Sequence, residues 1–169
     1  MKKDDTEVAS YILMNLATWI YGTIFQCDRL LAIQADQNND RQTSVIEEEF
    51  VVISARKLVR WVNEANKQKL IPQEAFQGIL GLAAVIRDVR DMREHADDYV
   101  VRKEGKKQSE FWHHSTTRAG LTYSSDATAT IVFSGAYLIG GRLSVQLVLE
   151  ATKAARQEFN AFVLASEQF

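Results

Sequence analysis

The sequence predicts a mainly α protein: a helical bundle of about four long helices with a small antiparallel β-insertion before the last one. Three observations lead there. Apolar residues recur every three or four positions through most of the chain, the period at which one face of a helix is apolar. Between about residues 111 and 143 that period gives way to short runs rich in β-branched and aromatic residues, punctuated by glycine. The length, 169 residues, with 46 % hydrophobic and 25 % charged content, suits a single soluble domain, 1–169, able to bury a substantial core.

The first helix is expected from Thr6 to about Gln34, where Val8, Ile12, Leu16, Trp19, Ile20, Ile24, Cys27, Leu30 and Leu31 hold the helical period. The polar run "QADQNNDRQT" then reads as a loop. Ser44 and Glu47 have the spacing of a capping box, in which each side chain satisfies a free backbone N–H, so a second helix is expected from there to about Lys69. Its buried side would be Phe50, Ile53, Leu58, Trp61 and Val62. Pro72, the single proline, suits the first position of a third helix, because its missing N–H would have no partner there. That helix is expected to run without a break through Val100, since Phe76, Ile79, Leu80, Ala83, Ile86, Val89, Met92, Ala96 and Tyr99 keep the period. The insertion reads as two or three antiparallel strands with a turn at Ser134–Gly135, and the helical period returns from Ser144.

A formal charge of −2 and a pI near 5.9 exclude a protein that coats nucleic acid by bulk electrostatics, so any RNA contact must be local. The local candidate is "VRKEGKK", with Arg102, Lys103, Lys106 and Lys107; the plainer reading is a solvated turn. The single cysteine, Cys27, cannot form an internal disulfide, which fits a reducing cytoplasm, and its apolar surroundings mark it as a packing residue. Val8 to Cys27 is free of charge and imitates a signal peptide or a membrane span. However, Ser10, Asn15, Thr18, Thr23 and Gln26 interrupt it and Asp4 and Asp5 spoil the basic flank, so no membrane association is expected.

The stretch "RDVRDMREHADDY", 87–99, gathers charge on the third helix. Residues three or four apart share a face, so Arg87 can meet Asp91, Arg90 can meet Glu94, and Asp91 can meet His95. One reading is a salt-laced outer face. The other is chemical: Arg90 is a permanent cation whose fork fits a phosphate, and His95 beside Asp91 is a proton carrier with one tautomer favoured. Cleaving a phosphodiester needs those two functions, because a hydroxyl must lose a proton while negative charge grows on the phosphoryl oxygens.

Arg90, Asp91 and His95 within "RDMREHADDY" resemble the signature of the HEPN superfamily, an arginine followed by a polar residue and, a few residues on, by a histidine. The resemblance implies a HEPN-like helical domain, commonly a homodimer that brings two motifs together. It also implies a metal-independent endoribonuclease of a toxin, defence or RNA-processing system, without cofactor and with an antitoxin or regulatory protein as partner. On that resemblance His95 transfers the proton, Arg90 stabilises the phosphate and Asp91 orients. A variant of the motif places a modifiable tyrosine two residues after the histidine; here Asp97 stands there and Tyr99 comes later, so that regulation is not carried over. The β-insertion is not a general feature of the superfamily. Other members are non-catalytic, and the alternative is accordingly a helical interaction or scaffold protein that dimerises or binds a partner.

His113 and His114 could join His95 as metal ligands, but neighbouring residues in a strand point to opposite faces, and no metal is expected. Trp112, next to Phe111 and the basic segment, is a candidate stacking surface for an unpaired base, against the plainer reading of a core anchor. Gly135, Gly140 and Gly141 match neither phosphate-loop nor dinucleotide spacing and read as turn glycines.

Overall fold

The structure, a computed structural model, describes residues 3–35, 41–72, 74–100, 111–116, 122–133 and 135–166. These are mainly helical, with small antiparallel strands before the last helix, as the changes of period predict. The chain divides into two compact units, one of residues 1–83 with 147–169 and one of residues 84–146.

In the first unit α1 (Lys3–Ala35) and α2 (Arg41–Lys67) pair as an antiparallel hairpin. The direction follows from its cross-links. Near one end Gln34 Nε2 donates to Ser44 Oγ at 3.2 Å and Arg29 meets Glu47 at 2.8 Å; near the other, Tyr11 and Trp61 pack edge to face with centroids 5.6 Å apart. The buried stripe of α1 is Ile12, Leu16, Ile20, Ile24, Cys27 and Leu30, close to expectation, with Val8 exposed. Thr23 is buried in that stripe and donates its hydroxyl to Trp19 O at 2.7 Å, so it costs no unsatisfied group. Burial pushes the Cys27 thiol up to about 12, with Asp28 adding to the rise and Lys153 opposing it, and the residue is packing.

Two expectations about α2 are corrected. The helix already starts at Arg41, so Ser44 and Glu47 lie inside it and serve as cross-links to α1 rather than as a capping box. Its buried side is Val51, Val52, Ala55, Leu58, Val59 and Val62, while Phe50 and Ile53 are exposed. α2 is apolar on two sides, and the stripe chosen for burial is the one carrying the smaller, β-branched residues that let α1 approach.

α2 ends with Leu70 N–H on Ala65 O at 2.9 Å and with Lys69 in the left-handed region, φ 54°, a Schellman-type stop without the usual glycine. Pro72 follows as part of that stop. Its carbonyl accepts Ala75 N–H at 3.0 Å in a turn, so it does not open a helix. The expected long third helix is three pieces: α3 (Gln77–Gly81), α4 (Ala83–Glu94) and α5 (Ala96–Val100). α3 begins after Phe76, itself left-handed at φ 64°, whose N–H is held by Glu158 Oε2 at 2.5 Å. The bonds at the breaks shorten to three residues, Leu82 N–H to Ile79 O and Asp98 N–H to His95 O. Apolar spacing survives such a change of pitch, and this is why periodicity reads straight through it. The last helix is α6 (Val145–Ser166).

Among the described residues of the second unit, five short strands replace the expected two or three. β1 (Trp112–Thr116) pairs antiparallel with β2 (Thr122–Asp126), and β3 (Thr130–Phe133), β4 (Ala136–Ile139) and β5 (Leu143–Ser144) form a meander. Asp126 Oδ1 accepts from Thr128 N at 2.7 Å and Ala129 N at 2.9 Å, an Asx-type turn into β3. The turn glycines are where expected. Gly135 takes φ 81° in the β3–β4 hairpin, and Gly140 and Gly141 take φ 62° and 67° between β4 and β5. A small core of Met92, Tyr99, Phe111 and Ala127 holds α4, α5 and the start of the sheet region together, with Tyr99 and Phe111 stacked at 5.6 Å.

Two stability tests follow from these contacts. Glu47 is 4 % exposed at its side chain, its Oε2 has no hydrogen-bond partner among the described residues, and Arg29 is its cation. Arg29→Met should therefore cost about 1–3 kcal/mol in urea unfolding by stranding that carboxylate. Adding Glu47→Leu should restore most of the loss, because an apolar pair replaces the ion pair at little cost; a double variant weaker than the single one would contradict this. A Cβ on Gly141 would collide with Ser125 Oγ in addition to straining φ, whereas nothing lies within 4 Å of one on Gly135. Gly141→Ala should lower stability by roughly 2–3 kcal/mol and Gly135→Ala by about 1 kcal/mol in the same assay, and equal losses would refute the packing argument.

Candidate functional site

The second unit contains an open cavity of about 420 Å³. α4 contributes Asp88, Asp91 and Met92 to its wall, α5 contributes Tyr99, β1 contributes Trp112 and His113, and the turn before β5 contributes Arg142. Asp88 and Asp91 are three residues apart and so share a face of α4. Asp91 Oδ2 accepts the Tyr99 hydroxyl at 2.9 Å. Asp88 Oδ1 takes both contacts from Arg87, Nε at 3.0 Å and Nη2 at 2.9 Å. Arg142 reaches the cavity because the Gly140–Gly141 turn reverses the chain there, and its Nη1 lies 3.5 Å from Met92 Sδ, a weak acceptor.

His113 and His114 separate to opposite faces of β1, as alternation requires. His113 lines the cavity, while His114 Nδ1 lies 2.6 Å from Ser124 Oγ across the strand pair. Burial lowers the His113 pKa first, the Arg142 charge second and His114 third. His113 is therefore neutral at pH 7, with one ring nitrogen donating and the other accepting. Trp112 is exposed and meets Phe111 at 6.2 Å with the two rings perpendicular, so part of its indole is open to a ligand.

The motif residues divide. Arg90 forms its expected pair with Glu94, at 2.6 Å, with the two side chains 42 % and 38 % exposed. Asp91 does not turn to His95 but to Tyr99, and His95 Nδ1 faces Asp98 at 3.6 Å with 49 % of its side chain exposed. His95 sits at the break itself: its N–H closes α4 on Asp91 O at 3.1 Å and its carbonyl accepts Asp98 N–H at 2.9 Å. Only Asp91 of the three lines the cavity; Arg90 and His95 stand on the surface. Arg102, Lys103, Lys106 and Lys107 lie outside the described residues. Among the described residues no group of three or more His, Cys, Asp or Glu could hold a metal ion.

Sequence reasoning missed Arg142, Asp88 and Tyr99 as site residues, and it weighed His113 as a metal ligand. The spacing of Asp88 to Asp91 was legible. Arg142 was not, because nothing local connects it to Met92, fifty positions earlier.

No family model matches the chain, and neither the curated proteins nor the solved structures give a significant match.

Proposed function

We propose that the protein is a cytoplasmic, homodimeric, metal-independent endoribonuclease of HEPN type. The observation that supports this reading most is the setting of Arg90 in the last turns of α4 and of His95 at the α4–α5 break, Arg90 facing the exposed Glu94 and His95 the partly exposed Asp98. Exposed pairs of this kind are worth about 0.3–0.5 kcal/mol, so a phosphodiester can displace Glu94 from the Arg90 fork at little cost. In the reaction the RNA 2′-hydroxyl attacks phosphorus and its proton passes to His95; the bond to the 5′-oxygen breaks, that oxygen takes the proton from the imidazolium, and a 2′,3′-cyclic phosphate and a 5′-hydroxyl result. Arg90 holds the charge that grows on the non-bridging oxygens. Asp91 orients the segment through its bond to Tyr99. Arg102, Lys103, Lys106, Lys107 and Trp112 would guide the strand. A toxin or defence role is the setting proposed for such an enzyme, with an antitoxin or regulatory protein as its control.

A second reading, a non-enzymatic interaction protein, is favoured by the exposed side of the α1–α2 hairpin. Tyr11, Met14, Tyr21 and Phe25 on α1 and Ile46, Phe50 and Ile53 on α2 are all exposed. Each set keeps helical spacing, and the hairpin register puts Phe25 level with Phe50. With side chains of about 150–250 Å² roughly half open, the two sets present on the order of 700 Å², close to what each partner of a standard interface gives. α1 is also long and apolar enough to cross a membrane.

Two measurements test these readings. With RNA and excess chelator the wild type should cleave, and Arg90→Ala or His95→Ala should each slow cleavage about a hundredfold or more. A wild type no faster than either variant sinks the enzyme. In sedimentation the wild type should be a dimer at micromolar concentration, and Phe25→Asp with Phe50→Asp should be a folded monomer; a monomeric wild type removes the dimer from both readings.

A further inference from the structure

The cavity of the second unit has a lining that selects its ligand. One wall is acidic, Asp88 and Asp91, and ionised carboxylates only accept hydrogen bonds, so a ligand must turn N–H donors to it. Arg142, which reaches α4 at Met92, only donates, so the same ligand must also carry an acceptor, best an anion, for its guanidinium. Trp112 adds an exposed flat indole to the lining, and Met92 a soft apolar thioether. The volume, about 420 Å³, falls within the range of roughly 300–1,000 Å³ that small-molecule sites occupy.

We infer that this cavity binds one unpaired guanine nucleotide, with the base edge on the Asp88 and Asp91 wall, the ring against Trp112 and the phosphate on Arg142. Guanine is chosen by the donor pattern of the bases. Its N1–H and N2 amino group are adjacent donors, so its edge turns only donors to an acidic wall. Adenine and cytosine set a ring-nitrogen acceptor beside their amino group, and uracil flanks its single N–H with two carbonyls; each would turn an acceptor on the acidic wall, which leaves lone pairs opposed. Asp88 Oδ2 is not used by either contact from Arg87 and can take one of the guanine donors. A phosphate oxygen is a strong, charge-assisted acceptor for the planar fork of the Arg142 guanidinium. Neutral His113 can donate to O6 or N7 of the base, or accept from a ribose hydroxyl, without adding charge. The inference extends the ribonuclease reading, on which it rests for the polymer that brings the nucleotide; the cavity would then read one base of a single strand near the Arg90 and His95 motif.

Calorimetric titration of the full chain with 5′-GMP, 5′-AMP, 5′-CMP, 5′-UMP, guanosine and inorganic phosphate tests the site without any bond being cleaved. GMP should bind about tenfold or more tightly than the other nucleotides, and Asp88→Asn should reduce that preference. Trp112→Ala should weaken all four nucleotides by about tenfold, with Trp112→Phe recovering most of the loss. Arg142→Gln should bring GMP down to the affinity of guanosine while guanosine itself is unchanged, a result that also shows the variant to be folded. Equal binding of the four nucleotides, no binding of any, or an Arg142→Gln variant that keeps the difference between GMP and guanosine overturns the inference. Phosphate binding alone, with no discrimination among bases, overturns it as well. The two readings fail separately: RNA cleavage without GMP binding removes the pocket and keeps the enzyme, and GMP binding without cleavage does the reverse.

Discussion

The first unit depends on one constraint: α1 is apolar around more of its circumference than a single neighbouring helix can cover. Burial of Ile12, Leu16, Ile20, Ile24 and Cys27 supplies the driving force for the hairpin, at roughly 1.5–3 kcal/mol for each large aliphatic side chain taken from water. Apolar ridges alone do not fix how far one helix slides along another. Register comes from the polar cross-links, Arg29 with Glu47 and Gln34 with Ser44, because a slip by one turn would leave a buried carboxylate without its cation. What the hairpin cannot cover, Tyr11, Met14, Tyr21 and Phe25, is left facing out beside Ile46, Phe50 and Ile53. A surface of that kind is unusual for a monomer, and it is a direct consequence of a helix whose charged residues are confined to its ends.

Most of this architecture could be read from period and composition. The stripe Ile12 to Leu30 and the switch to strands before α6 were legible because each follows from local chemistry: side-chain spacing in the first case, β-branched runs and glycines in the second. What escaped was of two kinds. Where a helix is apolar on two sides, as α2 is, spacing gives both stripes and only the neighbour decides which is buried, so Phe50 and Ile53 were placed inside when Val51, Val52 and Ala55 hold the core. Where a break is made by a change of hydrogen-bond pitch, the apolar period passes through: at His95 no glycine or proline stands beside it, and at Leu82 the preceding Gly81 keeps helical spacing with its apolar neighbours. The Ser44 and Glu47 pattern shows the complementary error, since a capping signature within a helix is indistinguishable from one at its start until the chain before it is seen to be helical.

The same distinction applies to the charged stretch. Arg90 with Glu94 was legible, being a contact between successive turns. The cavity was not, because its cationic side comes from a residue that is local to Met92 only after β4 and β5 have turned back through Gly140 and Gly141. The sequence marks those glycines as turn residues and shows nothing of what the turn serves. Their purpose in the fold is to place Arg142: the positive φ at both and the close approach of Gly141 to Ser125 allow a reversal tight enough to aim a guanidinium at α4.

Asp91 is the residue at which the two candidate chemistries meet. It belongs to the arginine-to-histidine motif and also lines the cavity, and its partner Tyr99 lies on the far side of the α4–α5 break. The bond between them therefore spans His95. With Tyr99 stacked on Phe111 and Phe111 set against Trp112, the angle of the break is fixed by a chain of contacts that ends at the proposed stacking surface. An imidazole at an unsupported helix break would sample many directions, and a proton carrier that wanders loses the benefit of orientation. The backbone of His95 is bonded to both sides of this break, on Asp91 O and from Tyr99 N, so the contacts of Phe111, Tyr99 and Asp91 bear on where the break places residue 95.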